Sequence, residues 1–169
     1  MEKRRSDRWW RRTGFVLGLA GALAMVLAAH VPAAPRGLGL DLTIAPAPTG
    51  RMLTLRPADQ LLTVAGMQPG RVASAHTLVM NPTSATRRVT MRMLPSSHAL
   101  DRALMVEATL DGRRLYRGWL EGLRAPTRPF DIESGDGPEL RLRVWLPPDA
   151  TGWRGHIEDL TLDFESPEA

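Results

Sequence analysis

The amino-acid sequence predicts an all-β chain folded as an antiparallel sandwich. Three observations carry that expectation. Apolar and polar residues alternate with period 2 in several short runs, clearest in Leu104, Val106, Ala108 and Leu110 against Met105, Glu107 and Thr109, the pattern of a strand with one face buried. Turn residues interrupt these runs about every eight to twelve residues, as in sandwiches. Helical periodicity is weak outside the first thirty or so residues.

The chain begins with a distinct segment. Lys3, Arg4, Arg5, Arg8, Arg11 and Arg12 stand against Glu2 and Asp7, and an uncharged apolar run follows from Phe15 to about Ala29, ending in Val31-Pro32-Ala33-Ala34. That order is expected of a signal peptide over residues 1–33, cleaved after Ala33. Left uncleaved, the 17 residues from Phe15 to Val31 would form a transmembrane signal anchor. Either way the rest is expected outside the membrane, extracellular or at the cell surface, touching the membrane only through this segment if it is retained.

The basic character of the chain belongs to that segment. Of 22 Lys and Arg and 18 Asp and Glu, six and two lie within the first twelve residues, so the remainder is neutral. Its arginines are interspersed with acids, which argues against nucleic acid as a partner. There is no cysteine, so an exported domain must be held by packing rather than by disulfides.

Residues 34–50 read as an N-terminal strand and a Pro-rich linker, and residues 51–169 as the sandwich. Leu38, Leu40, Leu42 and Ile44 alternate with Gly39, Asp41 and Thr43 before Ala45-Pro46-Ala47-Pro48-Thr49-Gly50. Proline lacks a backbone donor, so the strand is expected to be loosely tethered, free to move or to be shared. Short strands follow at Met52–Leu55 and Leu61–Val64. Met67-Gln68-Pro69-Gly70 is a type II turn with Pro and Gly as its central pair. Val72–Met80 has strand composition up to Asn81-Pro82, and Val89, Met91 and Met93 alternate with arginine and threonine.

Asp111-Gly112 joins two apolar runs and predicts a type I′ hairpin, because both central residues of that turn need positive φ. One helical turn is expected at Ser96–Ala103 and another at Trp119–Leu123. Phe130–Ile132 is a brief extended piece. Leu140, Leu142, Val144 and Leu146 alternate with Arg141, Arg143 and Trp145, and Leu160, Leu162 and Phe164 with Thr161, Asp163 and Glu165.

No catalytic motif emerges. His76, His98 and His156 lie in no HExxH or HxH spacing, so no metal site and no cofactor is predicted. Ser74, Ser96 and Ser97 stand in no nucleophile-elbow context. Trp119, Trp145 and Trp153 with Tyr116 are the aromatics from which a sugar platform would be built, against the commoner reading of core packing. Trp145 is singled out as a binding residue, because the alternation of its strand turns it away from the buried face.

Several of these marks fall in an order that resembles the TasA/camelysin family of secreted bacterial proteins: Gly39-Leu40-Asp41-Leu42 after the leader, Met67-Gln68-Pro69-Gly70 before a strand ending at Asn81, Asp111-Gly112 followed by Leu115-Tyr116-Arg117-Gly118-Trp119-Leu120, Val144-Trp145-Leu146-Pro147, and Leu160-Thr161-Leu162-Asp163-Phe164. The resemblance implies an Ig-like or jelly-roll sandwich and a surface or biofilm-matrix role. It also implies assembly by passing an N-terminal strand, here Leu38, Leu40, Leu42 and Ile44, to a neighbouring copy or another surface protein. Pro82-Thr83 departs from the family's small-Gly turn, and no metal-ligand motif matches the protease activity attached to the camelysin name.

The expectation is thus an exported, non-enzymatic surface or matrix protein. A surface binding module for a glycan or partner protein, or a camelysin-like metallopeptidase, is the alternative.

Overall fold

In the computed structural model of the chain the described residues are 39–47, 53–58 and 60–166. The expected leader, Leu38, Pro48-Thr49-Gly50 of the Pro-rich linker and Met52 of the expected Met52–Leu55 strand lie outside them. Ten strands are formed: β1 (Leu40–Pro46), β2 (Thr54–Arg56), β3 (Leu62–Met67), β4 (Val72–Met80), β5 (Arg87–Pro95), β6 (Met105–Leu110), β7 (Arg113–Trp119), β8 (Phe130–Ile132), β9 (Glu139–Trp145) and β10 (Ile157–Glu165). One 3-10 turn, Leu120–Leu123, follows β7. The turn expected at Trp119–Leu123 is therefore present, whereas Ser96–Ala103 forms a series of bends and turns.

The strands make two five-stranded sheets, one ordered β3-β1-β10-β5-β8 and the other β2-β4-β9-β6-β7. Their inner faces form a sandwich core, with Leu42, Met91, Met93 and Leu162 from the first sheet and Val79, Val106, Leu142 and Val144 from the second all at 0–1% exposure. Side chains of period-2 strands must point to opposite faces, so each sheet buries one face and offers the other to solvent. Leu100, Leu104, Leu120 and Leu123, from the connection after β5 and the turn after β7, are buried with the same core.

Among the described residues strand pairing is antiparallel with one exception: β1 runs parallel to β10, Asp41 opposite Ile157 through Pro46 opposite Leu162. This corrects the loosely tethered N-terminal strand. β1 lies inside the first sheet, between β10 and the antiparallel β3. Leu40, Leu42 and Ile44 are buried at 0%, 1% and 0% exposure. Proline in a strand is tolerated where its missing N–H is not needed; Pro46 ends β1, and the ladder is continued by Ala47, whose N–H donates to Leu162 O at 2.7 Å. The Pro-rich stretch thus starts inside the docked strand, with Ala45 and Pro46 paired to β10, and the described residues, β1 included, fall within one compact unit, Ala33–Ala169.

The predicted hairpin forms β6 and β7, with Asp111 at φ 46° and Gly112 at φ 79°. The Gln68–Arg71 turn closes as expected, Arg71 N–H donating to Gln68 O at 3.1 Å with Gly70 at φ 78°. Of all adjacent strand pairs, β6–β7 alone is consecutive in the chain; every other pairing joins distant segments.

Candidate binding face

The outer face of the second sheet departs from an ordinary solvated surface. β9 is its central strand; Leu140, Leu142 and Val144 point inward, while Glu139, Arg141, Arg143 and Trp145 point outward. Trp145 stands opposite Val72 of β4 on one side and Met105 of β6 on the other, and Met105 in turn stands opposite Trp119 of β7. Val72, Trp145, Met105 and Trp119 therefore form one cross-strand row, with neighbouring side chains about 5 Å apart at their Cβ atoms. Trp145 is half-buried between its flanking neighbours. Trp119, on the edge strand β7, is 44% exposed, and Val72 is 50% exposed.

Leu78, also on β4, is 41% exposed on the same face. Three of the four large apolar side chains that the described residues expose therefore lie here. Isolated exposed apolar residues need no explanation, whereas this row across four strands makes the face a candidate contact surface.

Two residues along each strand lies a polar row of Ser74, Arg143, Glu107 and Arg117. The Glu107 carboxylate is held by Arg143 Nη1 at 3.2 Å and Arg114 Nε at 3.5 Å, and its side chain is only 12% exposed. Arg117 has no ion-pair partner among the described residues. The next row brings His76, Arg141 and Thr109 together with Arg114, and Arg141 reaches Glu139 at 3.1 Å. β2 adds Arg56 opposite Leu78. Five arginines thus face two glutamates, and the face is cationic although the chain beyond residue 12 is neutral overall.

Tyr116 faces inward from β7 and its hydroxyl donates to the Trp119 carbonyl. Its ring occupies the space a Cβ would need at Gly118 and Gly122, so these glycines let the tyrosine fix the backbone that carries Trp119. Burial raises the Tyr116 pKa, keeping the hydroxyl protonated as the donor.

The other candidates named from sequence separate. Leu40, Leu42 and Ile44 are core residues. His76 lies on the cationic face, His98 contacts Asp101 at 2.9 Å, and His156 packs edge-on against Trp153 with ring centroids 5.4 Å apart. Among the described residues no three His, Cys, Asp or Glu side chains gather in a group able to hold a metal ion. Trp153 and Tyr116 pack against the core, whereas Trp119 is exposed on the outer face, so the four aromatics do not form one platform.

Ser96 and Ser97 serve a buried acid. Glu158, 6% exposed, accepts from Ser96 Oγ at 2.6 Å, Ser97 N at 2.7 Å and Ser97 Oγ at 2.7 Å. Beside it Arg124 binds Asp101 at 2.7 Å and donates to Ser97 O at 2.9 Å. Desolvation pushes the Glu158 pKa up, but these hydrogen bonds and the Arg124 charge outweigh it and hold the acid below its ordinary value. Among the described residues no histidine hydrogen-bonds either serine. The cluster ties the β5–β6 connection to β10 and to the 3-10 turn.

An open groove of about 490 Å³ lies at one end of the sandwich, lined by Gly39, Met67, Gln68, Pro69, Trp153 and Arg154 among others. Arg154 is its one charged lining residue, so it holds no acid–base pair. The outer face of the second sheet is the better developed site. Sequence reasoning named Trp145 and Trp119 together, but only within a four-aromatic platform, and did not single out Arg117; the repeated Arg-x-Trp triplets at 117–119 and 143–145 were the available signal.

Comparison with known proteins finds no matching family model and no matching curated protein. Among solved structures the chain is similar to the N-terminal domain of PorA, with 11% identity and a TM-score of 0.33 over 76% of this chain and 89% of that one. It is also similar to a GH31 α-xylosidase from Xanthomonas citri, with 10% identity and a TM-score of 0.33 over 79% of this chain and 16% of that one.

Proposed function

We propose that the protein is an exported, non-enzymatic β-sandwich that acts at the cell surface or in the extracellular matrix, binding a glycan or a partner protein through the outer face of its second sheet. One observation carries the binding reading: Trp119 and Trp145 stand in one apolar row on a face that otherwise carries arginine. The basic, then apolar, then small-residue order of residues 1–33 supports export, and the resemblance to TasA/camelysin proteins supports a surface or matrix role.

The test is retention on the envelope or matrix fraction of the native host. Wild-type protein should be retained, and Trp119→Ala should abolish retention while circular dichroism stays unchanged. Equal retention of wild type and variant would remove the face from the function.

A second reading, assembly by strand exchange, is favoured by the position of β1. It lies at the N-terminal end of the sandwich and fills a slot between β3 and β10 that the same strand of a second copy would fill in the same register. Because β1 is an inner strand, deleting it would part β3 from β10 and unfold that side of the sheet, so deletion is no test of assembly. Sedimentation of the intact protein is: concentration-dependent dimers or fibres are expected, and a monomer at every concentration would overturn this reading.

A further inference from the structure

The two Arg-x-Trp triplets of the binding face are the same unit twice. β7 and β9 both pair antiparallel with β6, so Arg117-Gly118-Trp119 and Arg143-Val144-Trp145 run in the same direction. Met105 stands opposite both tryptophans, and Glu107 stands opposite both arginines. The two triplets are therefore displaced by two strand spacings, about 10 Å, and turned by the sheet's twist, with each arginine about 7 Å along its strand from its tryptophan. A receptor that repeats its unit at a fixed displacement and twist matches a polymer whose own units repeat. A folded protein surface seldom offers such a repeat.

Resting on the reading of this face as a binding surface, we propose that its ligand is a linear uronate-bearing polysaccharide lying across the strands from β9 to β7. Sugar rings stack on Trp145 and Trp119, and ring carboxylates meet Arg143 and Arg117. The C–H face of a pyranose is apolar and suits an indole. Its carboxyl group lies near the ring plane, to one side of the stacked ring, which is where the arginine two residues along the strand stands. A guanidinium takes a carboxylate by two parallel hydrogen bonds.

The arginines are available for this. Arg117 has no ion-pair partner among the described residues, and Arg143 gives Nη1 to Glu107 at 3.2 Å and keeps other donors of its five. Its side chain remains 49% exposed. Glu107 stands between the arginine positions and leaves the face cationic, so an acidic polymer is attracted where a neutral one is not. A single-stranded nucleic acid also combines stacking with negative charge, but the balance of 16 basic and 16 acidic residues beyond residue 12 gives no backbone-tracking footprint.

Titration of the purified protein with polygalacturonate, its carboxyl-reduced neutral form and a single-stranded oligothymidylate tests the assignment. Polygalacturonate is expected to bind, the carboxyl-reduced polymer to bind at least about tenfold more weakly, and Trp119→Ala and Arg117→Ala each to weaken polygalacturonate binding about tenfold. Both substituted residues are exposed on an edge strand, so the fold is retained, and Arg117→Lys should restore only part of the loss.

Equal affinity for the neutral polymer, tighter binding of the oligonucleotide, or indifference to both substitutions would overturn the proposal. If polygalacturonate fails to bind while envelope retention still depends on Trp119, the uronate assignment falls and the binding face stands. If neither depends on Trp119, both fall.

Discussion

Ser97 donates two hydrogen bonds to the carboxylate of Glu158, one from its backbone N–H and one from its hydroxyl, each 2.7 Å long. With Ser96 Oγ they hold the Glu158 pKa below its ordinary value of 4.5, and Arg124 and His98 hold the Asp101 pKa below 3.8 against desolvation by burial. A folded-state pKa below the unfolded one gives stability that is fully present above the unfolded value and is lost as pH falls through the folded value. Thermal unfolding should therefore be insensitive to these two groups at neutral pH and should weaken progressively below about pH 4.5. Glu158→Gln should lower neutral-pH stability by about 1–2 kcal/mol and flatten the acid limb. An unchanged acid limb in the variant would contradict this.

Asn81 is expected to be among the costliest residues to truncate. It is 1% exposed, and its side-chain amide donates to Ala85 O at 2.8 Å, Ile132 O at 3.0 Å and Glu133 O at 3.1 Å while its side-chain oxygen accepts from Thr83 N at 3.0 Å. One side chain brackets the β4–β5 connection against the end of β8. Asn81→Ala should cost about 2–4 kcal/mol, because several buried groups lose their partner at once. Denaturant unfolding measures it, and Asn81→Asp should also destabilise, since it removes the amide donors.

Gly39 should reject even a methyl group. A Cβ there would stand 2.5 Å from the Met67 carbonyl oxygen and 2.6 Å from Gly66 backbone atoms, both main chain and unable to swing away. Gly39→Ala should destabilise by about 1–3 kcal/mol through displacement of β1 from β3. Amide exchange should rise first at Leu40–Leu42 and Val64–Met67 if that is the cause.

Trp119→Ala should separate binding from stability. The side chain is 44% exposed on an edge strand, so its removal should change the unfolding free energy by less than about 1 kcal/mol, whereas Trp145→Ala, half-buried on the central strand, should cost more. A large fall in melting temperature for Trp119→Ala would show that the ring is structural.

The strands and the inward or outward sense of their side chains were legible because a pleated strand imposes period 2 on any half-buried sequence. The alternation of Leu140 to Leu146 gave the outward direction of Trp145, and the hairpin was legible because Asp111-Gly112 meets the positive φ demand of its turn. Asn81 was readable only as the end of a strand. Its role as a bracket depends on Ile132 and Glu133, about fifty residues away, and no local pattern encodes such a contact.

The N-terminal strand shows the same limit more sharply. Its alternation was plain, but the prolines after it suggested mobility, and its parallel partner β10 lies at the other end of the chain. The alignment of Trp119 with Trp145 likewise depends on how β9 and β7 register on β6.

By itself the sequence determined most of the strands, the inward face of the strongly alternating ones such as β6, β9 and β10, and the one pairing that consecutive strands make. Those properties arise from local sterics and from the distribution of apolar side chains along a few residues. Only the tertiary structure decided that β1 is an inner strand and that two arginine–tryptophan triplets stand side by side. Pairing between distant strands is chosen by the joint burial of both sheets, and the period-2 pattern of any one strand is compatible with many partners.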